Sequence, residues 1–171
     1  MKLFSCTFIL VLFLSCNSSK QNIKHLPLEV SSTCPENGSC TFEILKNKSF
    51  LIKNSFGDSY PEFVDSNKLI FKFQYLRDSI PNTQDSSYKE IILIELNSDY
   101  DELDFSSIDF ESATIYFGRI CFCRGQNGYF KVTNGKLSIK ELEDKSFNLK
   151  FDYMLQDIPY VVKSINQSFE L

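Results

Sequence analysis

The chain has 171 residues, with 18 basic and 22 acidic side chains, a net charge of −4, and no tryptophan among many Phe and Tyr. It lacks the basic stretch that would track a phosphate backbone, so nucleic acid is excluded as a partner. The length fits one domain with a normal core, and the aromatic content favours strands.

The N-terminus reads MKLFSCTFILVLFLSCNSSK. Lys2 gives a positive start, Leu3 to Leu14 is mostly apolar, and Ser15 is a small residue before Cys16. A charged start, an apolar run and a small residue at the cut form a secretory signal layout. The run falls short of the roughly 20 apolar residues that a membrane span needs. The end of the run, Phe13-Leu14-Ser15-Cys16, resembles the lipobox of Gram-negative envelope lipoproteins. That resemblance implies removal of residues 1–15 and lipidation of Cys16, which then tethers the protein to a membrane. Phe13 and Leu14 depart from the usual Leu and Ala or Ser at those positions. Asn17 is not the Asp that favours inner-membrane retention, so the outer membrane is the expected location. The polar segment 16–33, with Pro27, reads as anchor and tether. A single β-rich domain is expected over 34–171.

Within that domain, strands are expected at Cys40–Leu45, Ser49–Lys53 and Tyr60–Asp65. KLIFKFQYLR follows, with Leu69, Phe71, Phe73 and Tyr75 alternating with Lys72 and Gln74, as in a half-buried strand. YKEIILIELN is more continuous and predicts a strand covered on both faces near the centre of a sheet. Between these two, Arg77 to Ser87 is a polar loop. Ser98 to Ala113 predicts a short helix or an irregular crossover. Further strands are expected at Thr114–Cys123, Tyr129–Thr133, Lys136–Leu142, Phe147–Leu155 and Val161–Phe169. NSFGDS, GQNG, NGK and EDKS supply turn residues between them. About nine or ten short strands with short turns predict an all-β antiparallel sandwich or barrel.

Four cysteines fall in the domain: Cys34, Cys40, Cys121 and Cys123. In an exported chain an even count predicts disulfides. Alternation would put Cys121 and Cys123 on one face of one strand, where a bond between them closes a very small ring. Two bridges from the CPENGSC loop to that strand are therefore expected, with Cys34–Cys40 plus Cys121–Cys123 as the alternative. A zinc tetrathiolate typically uses two Cys-x-x-Cys knuckles, and a redox centre prefers one at a helix N-terminus. Cys-x5-Cys and Cys-x-Cys fit neither well.

The acids Asp99, Asp101, Glu102, Asp104, Asp109 and Glu111 fail the spacing of a calcium loop and read as solvated. His25, the only histidine, lies in the tether, which removes Ser-His-Asp and Cys-His chemistry from the domain. No residue set marks a catalytic centre or a metal site, and no cofactor is expected. Arg119, Arg124 and Tyr129 are the candidate binding residues, since Arg and Tyr are favoured at binding hot spots. The expected protein is a lipid-anchored, disulfide-stabilised β-domain with a binding or structural role. Its expected partners are the membrane, through Cys16, and an envelope protein or glycan. A hydrolase with paired carboxylates, or a metal or redox protein using the four cysteines, are the alternatives.

Overall fold

A computed structural model describes residues 34–143 and 146–171. The signal-like run, Cys16 and the tether lie outside the described residues. Among the described residues eight strands form: β1 Gly38–Ser55, β2 Asp58–Arg77, β3 Tyr88–Leu96, β4 Ala113–Cys121, β5 Gly128–Lys131, β6 Gly135–Glu141, β7 Phe147–Tyr153 and β8 Ser164–Phe169. The first five make one sheet in chain order, and the last three make a second. All pairings are antiparallel. The fold is the expected all-β, sandwich-like class.

The strand number is lower than nine or ten for a local reason. Cys40–Leu45 and Ser49–Lys53 are parts of one strand, β1, and Tyr60–Asp65 continues into the KLIFKFQYLR strand as β2. The register shifts between Lys46, opposite Leu69, and Lys48, opposite Asp65. Asn47 sits between them at φ 56°, a left-handed conformation that Asn tolerates better than most residues. A bulge of this kind bends its strand without ending it.

Period-two alternation then builds the interior. Phe71, Phe73 and Tyr75 of β2, Ile92 and Ile94 of β3, and Ile115 and Phe117 of β4 share the inner face of the large sheet. They pack against Leu137 and Ile139 of β6, Leu149 and Phe151 of β7, and Ile165 and Phe169 of β8. The Phe71 and Phe169 rings lie 5.0 Å apart, centroid to centroid, across this interface.

The outer face of the large sheet is also covered. Beyond the bulge, the distal part of the β1–β2 hairpin folds back over it as an arm. Phe50, Ile52 and Leu45 pack there with Ile70, Ile91, Leu93, Tyr116 and Tyr129. Phe50 meets the Tyr116 ring edge-on at 5.8 Å. The result is three layers: the arm, the five-stranded sheet and the three-stranded sheet. Strand β3 lies in the middle of the middle layer, which explains its continuous apolar run.

A two-stranded hairpin is marginal by itself in water. Here it is pinned by Glu95 of β3, which is buried on the outer face. One Glu95 oxygen accepts from the Ser49 hydroxyl at 2.7 Å and the Phe50 N–H at 3.0 Å. The other accepts from Lys68 at 3.2 Å. Further along the arm, the Tyr129 N–H of β5 donates to the Ser59 hydroxyl at 2.6 Å. Close approach there requires glycine at 128, because a Cβ would lie 2.5 Å from the Ser59 oxygen, and Gly128 has φ +124°.

Glu95→Ala should leave the Phe50 N–H without its acceptor and loosen the arm. A stability loss of about 1–3 kcal/mol is expected, with faster amide exchange at Phe50 than at inner-sheet positions such as Phe117. Ile92→Ala, by contrast, should cost about 2–5 kcal/mol and accelerate exchange throughout, because Ile92 lies in the main core. Chemical denaturation and hydrogen exchange of the two variants distinguish a local pin from a global core residue.

Candidate functional site

One end of the large sheet gathers most of the residues that the sequence singles out. Gly38 opposite Arg77 and Tyr88 opposite Cys121 mark this end. The loop carrying Cys34 enters here, and the β2–β3 and β4–β5 connections turn here. Asp78 N–H donates to the Asn37 carbonyl at 3.0 Å, and the Tyr75 hydroxyl donates to the same oxygen at 3.1 Å.

The cysteines are oxidised in local pairs, Cys34–Cys40 and Cys121–Cys123. This corrects the expected pairing between the loop and the strand. Strand order supplies the reason. Cys40 is on β1 and Cys121 on β4, with β2 and β3 between them. Three strand spacings amount to about 14 Å, twice the ~7 Å limit for a bridge between Cα atoms. The small ring forms because β4 ends at Cys121, so Cys123 is not held by strand pairing as expected for Thr114–Cys123. The Cys121–Cys123 Cα separation is 5.2 Å. With all four of these sulfurs in disulfides, no thiolate remains among the described residues to form a tetrathiolate site.

Arg119, Arg124 and Tyr129 are divided among three environments. Arg119 is buried on the inner face; it donates to the Gln126 side-chain oxygen at 3.0 Å and backbone carbonyl at 3.3 Å. Tyr129 lies on the outer face, its ring over Gly118, where a Cβ would come within 2.5 Å of it. Burial pushes its hydroxyl pKa up to about 12. Only Arg124 is exposed to solvent.

A group with no counterpart among the expected site residues lies under this end. Glu90 of β3 is fully buried on the inner face. Its carboxylate accepts from the Val161 N–H at 2.6 Å, the Val162 N–H at 2.8 Å and the Tyr88 hydroxyl. The Arg77 guanidinium covers the Tyr88 ring at 4.1 Å, and that of Arg119 lies 5.4 Å from it. Burial first, and then the bond to Glu90, raise the Tyr88 pKa to about 12, with Arg119 opposing. Nearby, Tyr153 donates to the Val162 carbonyl at 2.6 Å and stacks on Tyr160 at 5.2 Å. Glu90 thus ties the segment before β8 to the centre of the large sheet. The available signal was an acid at each end of the Ile91–Ile94 run, since a buried charge must find partners.

On the surface, the tip of the arm meets the β4–β5 loop. The Asn127 side chain donates to Asp58 at 3.2 Å, and its oxygen accepts from the Cys121 N–H at 3.2 Å. A depression of about 750 Å³ lies between Gly57 and Asp58 on one side and Phe122 and Arg124 on the other. Phe122 is 83% exposed, and Phe56 at the arm tip is fully exposed.

The acidic connection lies at the opposite end, between Leu96 and Ala113. It forms two short 3-10 turns, Tyr100–Glu102 and Phe105–Ser107. Asp104 accepts from the Ser106 hydroxyl and N–H, and Asp109 from those of Ser112; these bonds hold both carboxyls below the usual range. Among the described residues no cluster of His, Cys, Asp and Glu is arranged to hold a metal ion. The chain matches no family model, no curated protein and no solved structure.

Non-reducing peptide mapping should recover Cys34 joined to Cys40 and Cys121 joined to Cys123; a peptide linking the two regions would contradict the strand order. The tyrosines give a second test. In the unfolded chain they ionise near 10.0, whereas Tyr88 and Tyr129 resist until about 12. The folded state therefore binds more protons in that window, and stability falls as pH rises from about 10 to 12. An alkaline titration followed by tyrosinate absorbance and near-UV circular dichroism should show late ionisation accompanying loss of tertiary structure, and Tyr88→Phe should reduce its amplitude.

Proposed function

We propose that this is a lipid-anchored envelope protein whose β-domain binds a partner or supports an assembly without covalent chemistry. The observation that carries the reading is the oxidation of all four domain cysteines in a chain that begins with a signal-like run ending at Ser15-Cys16. Such disulfides persist in oxidising compartments outside the cytosol. The lipobox resemblance supplies the anchor at Cys16, and Asn17 favours the outer membrane. An envelope protein or a glycan is the partner class that suits this location.

The internal acids support a structural rather than a catalytic use. A glycoside hydrolase places two carboxylates about 5–9 Å apart across a cleft. Glu90 and Glu95 are buried on opposite faces of β3, and each is occupied by protein donors.

In cells, Cys16→Ala should move the protein from the membrane fraction to a soluble one or leave it as an unprocessed precursor. Intact mass of the wild-type protein should show loss of residues 1–15 and addition of lipid at Cys16. An unlipidated mature chain defeats the anchor. Crosslinking in intact cells before detergent extraction then identifies the partner.

A further inference from the structure

Phe56 occupies the first position of the two-residue turn between Ser55 and Asp58, at φ 52°, followed by Gly57 at φ 89°. Turns with two positive φ values favour Asn or Gly at that first position. Phenylalanine is disfavoured there, and full exposure means that it gains no contact within the domain. Phe122 is likewise exposed, yet its backbone is held on both sides. The Cys121–Cys123 bridge closes a ring around it, and the Cys121 N–H is bonded to Asn127. The Asn127–Asp58 and Tyr129–Ser59 bonds bring the arm tip alongside this loop. Two exposed phenylalanines therefore stand on neighbouring, braced turns.

Their position in the molecule indicates what covers them. The chain enters the described domain at Cys34, at the same end of the large sheet. Near the two rings, Arg124 and Asp58 balance in charge, whereas six acids occupy the connection at the far end. A near-neutral apolar tip beside the tether, with the six-acid connection at the other end of the sheet, suits a surface of lipid head groups.

We propose that the arm tip and the β4–β5 loop dock onto a lipid bilayer, with Phe56 and Phe122 inserted at the boundary between head groups and acyl chains. Aromatic side chains favour that boundary. The orientation rests on the lipid-anchor reading, since the tether from Cys16 to Cys34 spans at most about 60 Å and does not by itself fix the domain. Tethering raises the effective concentration of the membrane, so two side chains suffice where a free domain would need more. Docking converts a loosely held domain into one of fixed orientation, with the acidic end directed away from the bilayer.

The absence of tryptophan makes the test direct. Phe56→Trp, Phe122→Trp and, at the acidic end, Asp101→Trp each introduce one fluorophore at an exposed position. Each full-length protein is isolated from cells and reconstituted in phosphatidylethanolamine and phosphatidylglycerol vesicles. Docking is supported if F56W and F122W emit at shorter wavelength than D101W, are quenched by brominated acyl chains, and are shielded from aqueous iodide. Iodide access equal to that of D101W overturns it. Shielding that vanishes on dilution to one copy per vesicle also overturns it, in favour of self-association. Intact mass of the same samples reads the anchor separately. Lipidated protein with exposed reporters refutes docking and leaves the anchor standing. Unlipidated protein whose reporters become shielded when vesicles are added supports docking and removes the anchor.

Discussion

Strand β3 is buried on both faces, and near each of its ends a glutamate side chain reaches into a different layer. Glu90 points inward and accepts the Val161 and Val162 N–H groups; Glu95 points outward and accepts Ser49, the Phe50 N–H and Lys68. A carboxylate in such a place is tolerated only when its oxygens are occupied by donors. The two residues therefore impose where the arm folds back and where the segment before β8 returns. Apolar packing alone is less selective, because many side-chain pairs are acceptable across a flat sheet face. Hydrogen bonds to a buried carboxylate admit far fewer arrangements.

The disulfides act on a different scale. Bridges across the sheet would have closed loops of some eighty residues and restrained the unfolded chain strongly, whereas Cys34–Cys40 closes a short loop worth on the order of 2 kcal/mol in the chain-entropy model. Cys121–Cys123 restrains less still. Both pairs stiffen one end of the large sheet rather than joining its layers. Global stability consequently rests on the two apolar interfaces and the two carboxylate pins.

Much of this was legible in the chain. Alternation at Leu69 to Tyr75 marked the inner face of β2, and the unbroken Ile91–Ile94 run marked a strand covered on both sides. These patterns are local, so a period count finds them. The fold-back of the arm depends on a two-residue register shift at Asn47 and on an acceptor far along the chain, and neither alters the alternation that defines a strand. Cysteine pairing failed for a similar reason: face can be read from parity, but the number of strands between two cysteines cannot. Arg119 was visible as a polar residue among aromatics, yet its partner Gln126 lies beyond a turn whose path the sequence leaves open. That the domain cysteines pair at all, by contrast, was legible from their even number.

The Glu90 pin has a consequence for biogenesis. Strands β1 to β5 are contiguous and pair in simple order, which is the pattern of a sheet able to assemble early. Yet the inner face of that sheet holds a carboxylate whose backbone donors are residues 161 and 162, close to the end of the chain. As the chain emerges the N-terminal sheet can pair, but it keeps a hydrated acid and an uncovered aromatic face until the last strands have appeared. A chain truncated before residue 161 would retain all five strands of the large sheet, with β6 and β7, and still leave Glu90 without its backbone donors. Completeness of the chain is thus written into the core itself, and an unfinished molecule presents an apolar surface around an acid that lacks its backbone donors.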